Sequence, residues 1–229
     1  MKCFELPEKH MNPLPEKLCG LVLAAGLSSR MGDFKPLLSL CGKTLIENTV
    51  DSMFAGGVDS VVVVTGYRAE ELERCLYARY ASKVYTVRNH DYAVTDMLQS
   101  IKIGVRALSV TEPDCGAFYL LPGDMPVVSP ETFMLLRRHR NPQEKSIVFP
   151  TLQGFRKHPP LIDASFMTPI SNFSQDGGLR QLWKQYTQCI RTVPVDDAGC
   201  WIDVDTPNDY QKCKQLYEIK EEVFAYGKN

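Results

Sequence analysis

The chain has 229 residues, 44% of them hydrophobic and 23% charged, enough for one large α/β domain or two small ones with a core that needs no staples. Lys and Arg number 26 against 27 Asp and Glu; this net charge of −1 excludes a broadly basic nucleic-acid binder and gives no attraction to an anionic membrane. No apolar run reaches the roughly 20 residues of a membrane helix, and the eight cysteines, without a C-x-x-C pair and mostly inside apolar runs, read as reduced thiols of a cytoplasmic protein, not as a disulfide frame or zinc site.

Residues 1–16, with Pro7, Pro13 and Pro15 among charges, read as an irregular lead-in to one domain spanning 17–229. The apolar run 18–25 has the continuity of a strand buried on both faces. A helix follows over 44–55, then a β-branched strand over 58–65, a helix over 69–80 and a third strand over 83–88. The pattern continues with a helix over 96–108, a strand over 117–121, and a helix opened by Ser129 as N-cap with Pro130 at the first helical position. The basic run from Arg137 to Arg140 reads as solvated cations complementing that helix's C-terminus. Beyond Pro142 the rhythm breaks into short strands at 146–150, 159–163, 190–195 and 200–204, with helices at 179–186 and 207–222. This alternation predicts an α/β fold: a three-layer Rossmann-like arrangement, its sheet mostly parallel, with helices on both faces. Right-handed crossovers place the strand-to-helix loops at one sheet edge, where a ligand is expected.

The loop after the first strand carries most of the chemical information. Gly26, Ser28, Ser29, Arg30, Gly32 and Lys35 follow Ala24-Ala25 directly. Glycines let backbone N–H groups approach phosphate oxygens, an arginine forks onto a phosphate, and a lysine supplies a point charge. Five residues separate the glycines and Asp33-Phe34 precede Lys35, so this is not a Walker loop; no G-x-G-x-x-G is present either.

Leu23-Ala24-Ala25-Gly26-Leu27-Ser28-Ser29-Arg30-Met31-Gly32 with Lys35-Pro36-Leu37-Leu38 resembles the signature of the MobA/MocA-like nucleotidyltransferases, most closely the molybdenum cofactor cytidylyltransferase branch. Leu121-Pro122-Gly123-Asp124-Met125-Pro126 resembles the family's metal-binding segment. Gly154 with His158-Pro159, Asp176-Gly177-Gly178-Leu179-Arg180, and Asp203-Val204-Asp205-Thr206-Pro207 resemble later segments in the same order. The resemblance implies transfer of CMP from CTP to the terminal phosphate of molybdopterin or the molybdenum cofactor, with release of pyrophosphate. It implies Mg²⁺ or Mn²⁺ as cofactor and an apo-molybdoenzyme as a downstream partner.

On that basis Arg30, Lys35 and Asp124 are the candidate catalytic residues. Leu23, Ala24, Ala25, Gly26, Ser28, Ser29, Arg30, Gly32, Lys35 and Ser100 are candidates for holding the nucleotide. Lys157, His158, Asp176 and Arg180 are candidates for the acceptor, and Asp124, Asp203 and Asp205 for the metal. A phosphate nucleophile is largely ionised at neutral pH, so positioning and charge neutralisation are needed rather than a general base. Asp203 and Asp205 alternate along the expected 200–204 strand and its end and would face one side; Asp203 is the better second ligand, while Asp205 is placed to cap the helix that starts at Pro207. Asp96 stands where the family often has glycine, and either repels phosphate from the next helix's N-terminus or simply caps it. Lys157 stands in place of another family glycine. Ala25 goes with CTP in this family where glycine goes with GTP, although one methyl supplies only about 1–3 kcal/mol of discrimination. The alternatives are GTP as donor, a sugar 1-phosphate as acceptor, and a non-catalytic molybdopterin-binding chaperone.

Overall fold

In a computed structural model the described residues are 16–28 and 33–226, with side chains as far as 219. The lead-in up to residue 15, and Ser29, Arg30, Met31 and Gly32 of the first loop, lie outside them. The strands are β1 (Lys17–Ala24), β2 (Ser39–Leu40), β3 (Lys43–Thr44), β4 (Ser60–Thr65), β5 (Val84–Arg88), β6 (Cys115–Pro122), β7 (Ile147–Leu152), β8 (Phe155–Arg156), β9 (Leu161–Asp163) and β10 (Ile190–Pro194). The helices are α1 (Leu45–Ala55), α2 (Ala69–Tyr80), α3 (Met97–Thr111), α4 (Pro130–Arg138), α5 (Met167–Asn172), α6 (Gly178–Lys184) and α7 (Pro207–Tyr226).

β1 is central because its side chains are apolar on both faces. Leu18 and Val22 pack with Val50 and Met53 of α1, Leu72 of α2 and Phe133 of α4. Cys19 and Leu21 pack on the opposite face with Ile101 and Val105 of α3 and with Ile170 and Leu182 of α5 and α6. The same alternation runs through Val61 to Val64 and through Ala117 to Leu121, which yields the expected three layers. The sheet order is β10-β7-β9-β6-β1-β4-β5, with β8 paired to β7. β1 is parallel to β4 and β6, β4 to β5, and β10 to β7, whereas β9 runs antiparallel to β6 and β7. Strands of the C-terminal third therefore extend the same sheet, as the sequence suggested.

The chain steps outward from β1 through β4 to β5, then returns to place β6 on the other side of β1. At such a reversal the loops leaving neighbouring strands diverge and open a crevice at the strands' carboxyl ends. Two close approaches shape this edge. A methyl on Gly66, just after β4, would stand 2.6 Å from the Ala25 carbonyl oxygen and against Tyr92. A methyl on Gly199 would stand 2.0 Å from the Val127 carbonyl oxygen.

Several sequence expectations are corrected. Residues 200–204 form no strand: a 3-10 turn over Ala198–Cys200 leads into extended chain without a ladder partner. Asp205 is not the N-cap of α7. Thr206 accepts from the Asp209 N–H through Oγ1 (3.2 Å), and the Asp209 carboxylate accepts from the Thr206 N–H (3.1 Å), a reciprocal capping box. Ser129 occupies the N-cap position of α4, yet its hydroxyl bonds Glu131 rather than a helix N–H. Arg140 is not solvated; it is 8% exposed and pairs with Glu16 and with Asp163 at 2.6 Å, joining the strip before β1 to the end of β9. The β2–β3 hairpin, β8 and α5 carry too few residues for a periodicity to mark them.

The seven described cysteines are all free thiols. Among the described residues no helix is long and apolar enough to cross a membrane.

Candidate active site at the carboxyl ends of β1 and β6

A cleft of about 390 Å³ opens at the reversal between β1 and β6. Leu23, Ala24, Ala25, Gly26, Ser28 and Lys35 line it from the β1 side, and Pro122, Gly123 and Asp124 from the end of β6. Ser100 and Asp96 reach it from the start of α3, and Asp203 and Asp205 from the segment ahead of α7. The described members of the nucleotide and metal sets thus meet in one place; Ser29, Arg30 and Gly32 lie outside the described residues.

The first loop owes its shape to Ser28 more than to Gly26. Ser28 takes the left-handed conformation (φ 55°), and its hydroxyl accepts from the Lys35 N–H at 3.1 Å. Gly26 has no such φ, but a methyl built on it would meet nothing within 4 Å, so the backbone there borders open space. A 3-10 turn over Lys35–Leu37, with Pro36 at its start, sends the Lys35 side chain inward. Phe34 anchors the turn, buried edge-on against Tyr67 at 5.6 Å between ring centroids, with the Arg68 guanidinium over its ring at 5.5 Å.

Lys35 is the electrostatic centre of the cleft. Its ammonium lies 2.5 Å from Asp205 Oδ1 and 3.4 Å from Asp124 Oδ2. Lys35 is 8% exposed, and a buried ammonium requires such partners. Burial pushes the Asp124 carboxyl above its ordinary range; Lys35 opposes this in part, and the negative charge of Asp203 adds to it. Asp124 is thus a buried acid whose loss of hydration Lys35 offsets only in part. The Val204 N–H donates to the Asp124 carbonyl at 3.0 Å, fixing the segment bearing Asp203 and Asp205 to the end of β6. Asp197 holds the preceding turn, accepting from the Ser129 N–H and the Thr132 hydroxyl, each at 2.8 Å, and from the Gly199 N–H at 3.0 Å.

Among the described residues no group of three or more His, Cys, Asp and Glu is gathered tightly enough to form a metal cage. The carboxylates present fit a different kind of site. Two or three hard oxygen donors facing a cleft suit Mg²⁺ or Mn²⁺, ions that take one or two protein carboxylates and complete their shell with phosphate oxygens and water.

Ser100 is held by a residue that sequence reading did not single out. Asn89, 1% exposed, donates from Nδ2 to the Ser100 hydroxyl at 3.0 Å and to Thr95 Oγ1 at 3.1 Å. Tyr92 and Thr95, from the same loop after β5, also line the cleft. Their signal was positional: every loop that leaves a parallel strand reaches this sheet edge. Asp96 caps α3, accepting from the Gln99 N–H at 3.1 Å, so its own carboxylate fills the place where that helix end would receive an anion.

A second, larger cavity of about 970 Å³ adjoins the cleft, and Asp96 and Met97 line both. Lys157, His158 and Arg180 of the expected acceptor set line it; Asp176 does not. His158 is tied to the Leu120 carbonyl through Nδ1 at 3.2 Å, and burial lowers the affinity of its ring for a proton, which suits a neutral positioning group.

Residues 20–190 match the model of the MobA-like NTP transferase domain. The chain belongs to this family. It is 29% identical over 202 residues to the molybdenum cofactor cytidylyltransferase of Escherichia coli K12, covering 86% of this chain and 95% of that one. It is 31% identical over 208 residues to nicotine blue oxidoreductase of Paenarthrobacter nicotinovorans, covering 87% and 95%. A nucleotidyl transferase structure from Methanothermobacter superposes with a TM-score of 0.74 at 26% identity, covering 90% of this chain and all of that one. The same fold, with a TM-score of 0.64 at 23% identity and covering 87% and 98%, occurs in a Mycobacterium tuberculosis H37Rv protein in complex with manganese.

Proposed function

We propose that this member of the MobA-like NTP transferase family transfers CMP from CTP to the terminal phosphate of molybdopterin or the molybdenum cofactor, releasing pyrophosphate. The observation that carries the reading is the meeting of Lys35, Asp124 and Asp205 at the carboxyl ends of β1 and β6, next to a second cavity lined by cations. The Escherichia coli relative supports the choice of donor and acceptor, and Ala25 at the cleft is the residue expected for CTP.

In this reading the triphosphate lies along the first loop, where Gly26 leaves the backbone open and Lys35 supplies positive charge. Nucleotide binding moves the Lys35 ammonium from its two carboxylates to phosphate oxygens. A divalent cation on Asp124, with Asp203 or Asp205, supplies neutralisation of the charge that builds on the α-phosphate. Lys157, His158 and Arg180 orient the acceptor so that its phosphate oxygen attacks the α-phosphorus from the side opposite pyrophosphate. That oxygen is largely deprotonated at neutral pH, so the chain needs no general base. The work is positioning and charge stabilisation. In this proposal an apo-molybdoenzyme receives the product.

The test is pyrophosphate release measured for each of the four nucleoside triphosphates against molybdopterin and a set of sugar 1-phosphates, with Mg²⁺ and with Mn²⁺. Turnover with CTP and molybdopterin is expected. Turnover with GTP or only with a sugar phosphate replaces the donor or the acceptor, and tight pterin binding without turnover replaces catalysis with a carrier role.

A further inference from the structure

The larger cavity has a composition that narrows its occupant. The only two tryptophans of the chain, Trp183 and Trp201, both line it, together with Phe149 and Phe155. Trp183 is a packed wall, 8% exposed, whereas Trp201 and Phe155 are 51% and 65% exposed. The Lys157 ammonium stands 3.2 Å from the centroid of the Trp201 ring, and the Arg156 guanidinium is 5.4 Å from that of Phe149. A cation on one face of an indole orients the ring while leaving the rest of it open.

Charge points the same way. Arg156, Lys157 and Arg180 all line the cavity, and none of them is ion-paired among the described residues. Asp96 is the one lining side chain that carries an oxygen. A ligand rich in hydroxyls would find few side-chain acceptors there, and hydroxyls buried without partners cost affinity. A flat aromatic body with an anionic end would stack on indole and meet the cations. From this geometry we infer that Trp201 selects the acceptor, favouring a planar aromatic phosphomonoester over a sugar phosphate. The inference rests on the nucleotidyl-transfer reading, because it takes this cavity as the acceptor's.

The experiment is calorimetric titration of 1-naphthyl phosphate and of glucose 1-phosphate into the wild-type chain, Trp201→Ala and Trp201→Phe, with the nucleoside triphosphates and Mn²⁺ titrated in parallel. Removing a stacking ring costs about tenfold in affinity. Naphthyl phosphate is therefore expected to bind Trp201→Ala about tenfold more weakly than wild type, with most of the affinity kept in Trp201→Phe. Glucose 1-phosphate is expected to bind the wild type at least tenfold more weakly than naphthyl phosphate, and equally in all three proteins. Equal naphthyl phosphate affinity in Trp201→Ala and wild type, no binding to wild type, or glucose 1-phosphate binding as tightly, each overturns the assignment. The nucleotide titration, run with each of the four triphosphates and Mn²⁺, reports separately on the cleft: if none binds the wild type, the nucleotidyl-transfer reading falls, while the naphthyl phosphate series still decides whether Trp201 stacks on an aromatic phosphate.

Discussion

The ammonium of Lys35 bridges Asp205 and Asp124, 2.5 Å from one and 3.4 Å from the other, in the space between acids that the cleft would otherwise leave repelling each other. Replacing Lys35 with Met removes this bridge, and the stability lost is about 1–2 kcal/mol for a pair of which one member is partly solvated. Millimolar Mn²⁺ then raises the melting temperature of the variant more than that of the wild type, because the metal binds a better-exposed acid pair. Thermal melts with and without the metal check this. An equal metal shift in both proteins would mean that Lys35 does not hold the acids in place of a cation.

Asp124 should show opposite effects on stability and turnover. Burial raises its carboxyl's pKa above the ordinary value, so ionisation costs folding free energy at neutral pH, and that cost disappears as pH falls through the raised value. Asp124→Asn should therefore hold or raise the melting temperature at pH 7 while turnover drops by about 10²-fold or more. A variant that melts early, or that turns over normally, contradicts this role.

Asp51 gives a pH dependence away from the cleft. Burial works against its ionisation, but bonds from Lys43 (2.7 Å), the Tyr80 hydroxyl (2.8 Å) and Arg79 (2.8 Å) outweigh it and bring the carboxyl below its ordinary value near 3.8. A depressed carboxylate stabilises the fold above the unfolded-state value, and that contribution is lost as pH falls through the folded one. Asp51→Asn should cost about 1 kcal/mol at pH 7. Denaturant titrations from pH 7 to pH 3 should show the two proteins converging below about pH 4.

Gly66→Ala places a methyl 2.6 Å from the Ala25 carbonyl oxygen, a backbone atom that cannot rotate away. The first loop must shift, with an expected loss of about 1–3 kcal/mol of stability. CTP affinity should fall along with it, which calorimetry would show. Unchanged affinity would separate the turn after β4 from the nucleotide cleft.

Most of the sheet was legible in the sequence because buried parallel strands must be apolar on both faces. Val61 to Val64 is too β-branched and too short for a helix, and Phe118 to Leu121 continues the alternation of strands and helices. Leu23 to Gly26 and Asp124 were legible because they lie at the ends of apolar strands, whereas Ser100, Asp203 and Asp205 were expected from the segments that resemble the family. The conformation of 200–204 was not legible, because alternating Asp and apolar residues read as a strand whether or not a ladder partner exists; here the Val204 N–H donates to the Asp124 carbonyl instead. Asn89 escaped notice for the opposite reason. A single amide in a loop shows no pattern, and its value lies in two contacts that only the tertiary structure creates. Arg140 looked solvated because its helix-end neighbours are basic, while its partners, Glu16 and Asp163, are distant in sequence.

The capping box at Thr206 and Asp209 makes the last helix a mooring for the two acids that precede it. Their short stretch is made fast fore and aft, to β6 through Val204 and to α7 through Thr206. Deleting or unwinding the final helix would therefore slacken the cleft from the far end of the chain, silencing the protein without touching any residue inside the pocket.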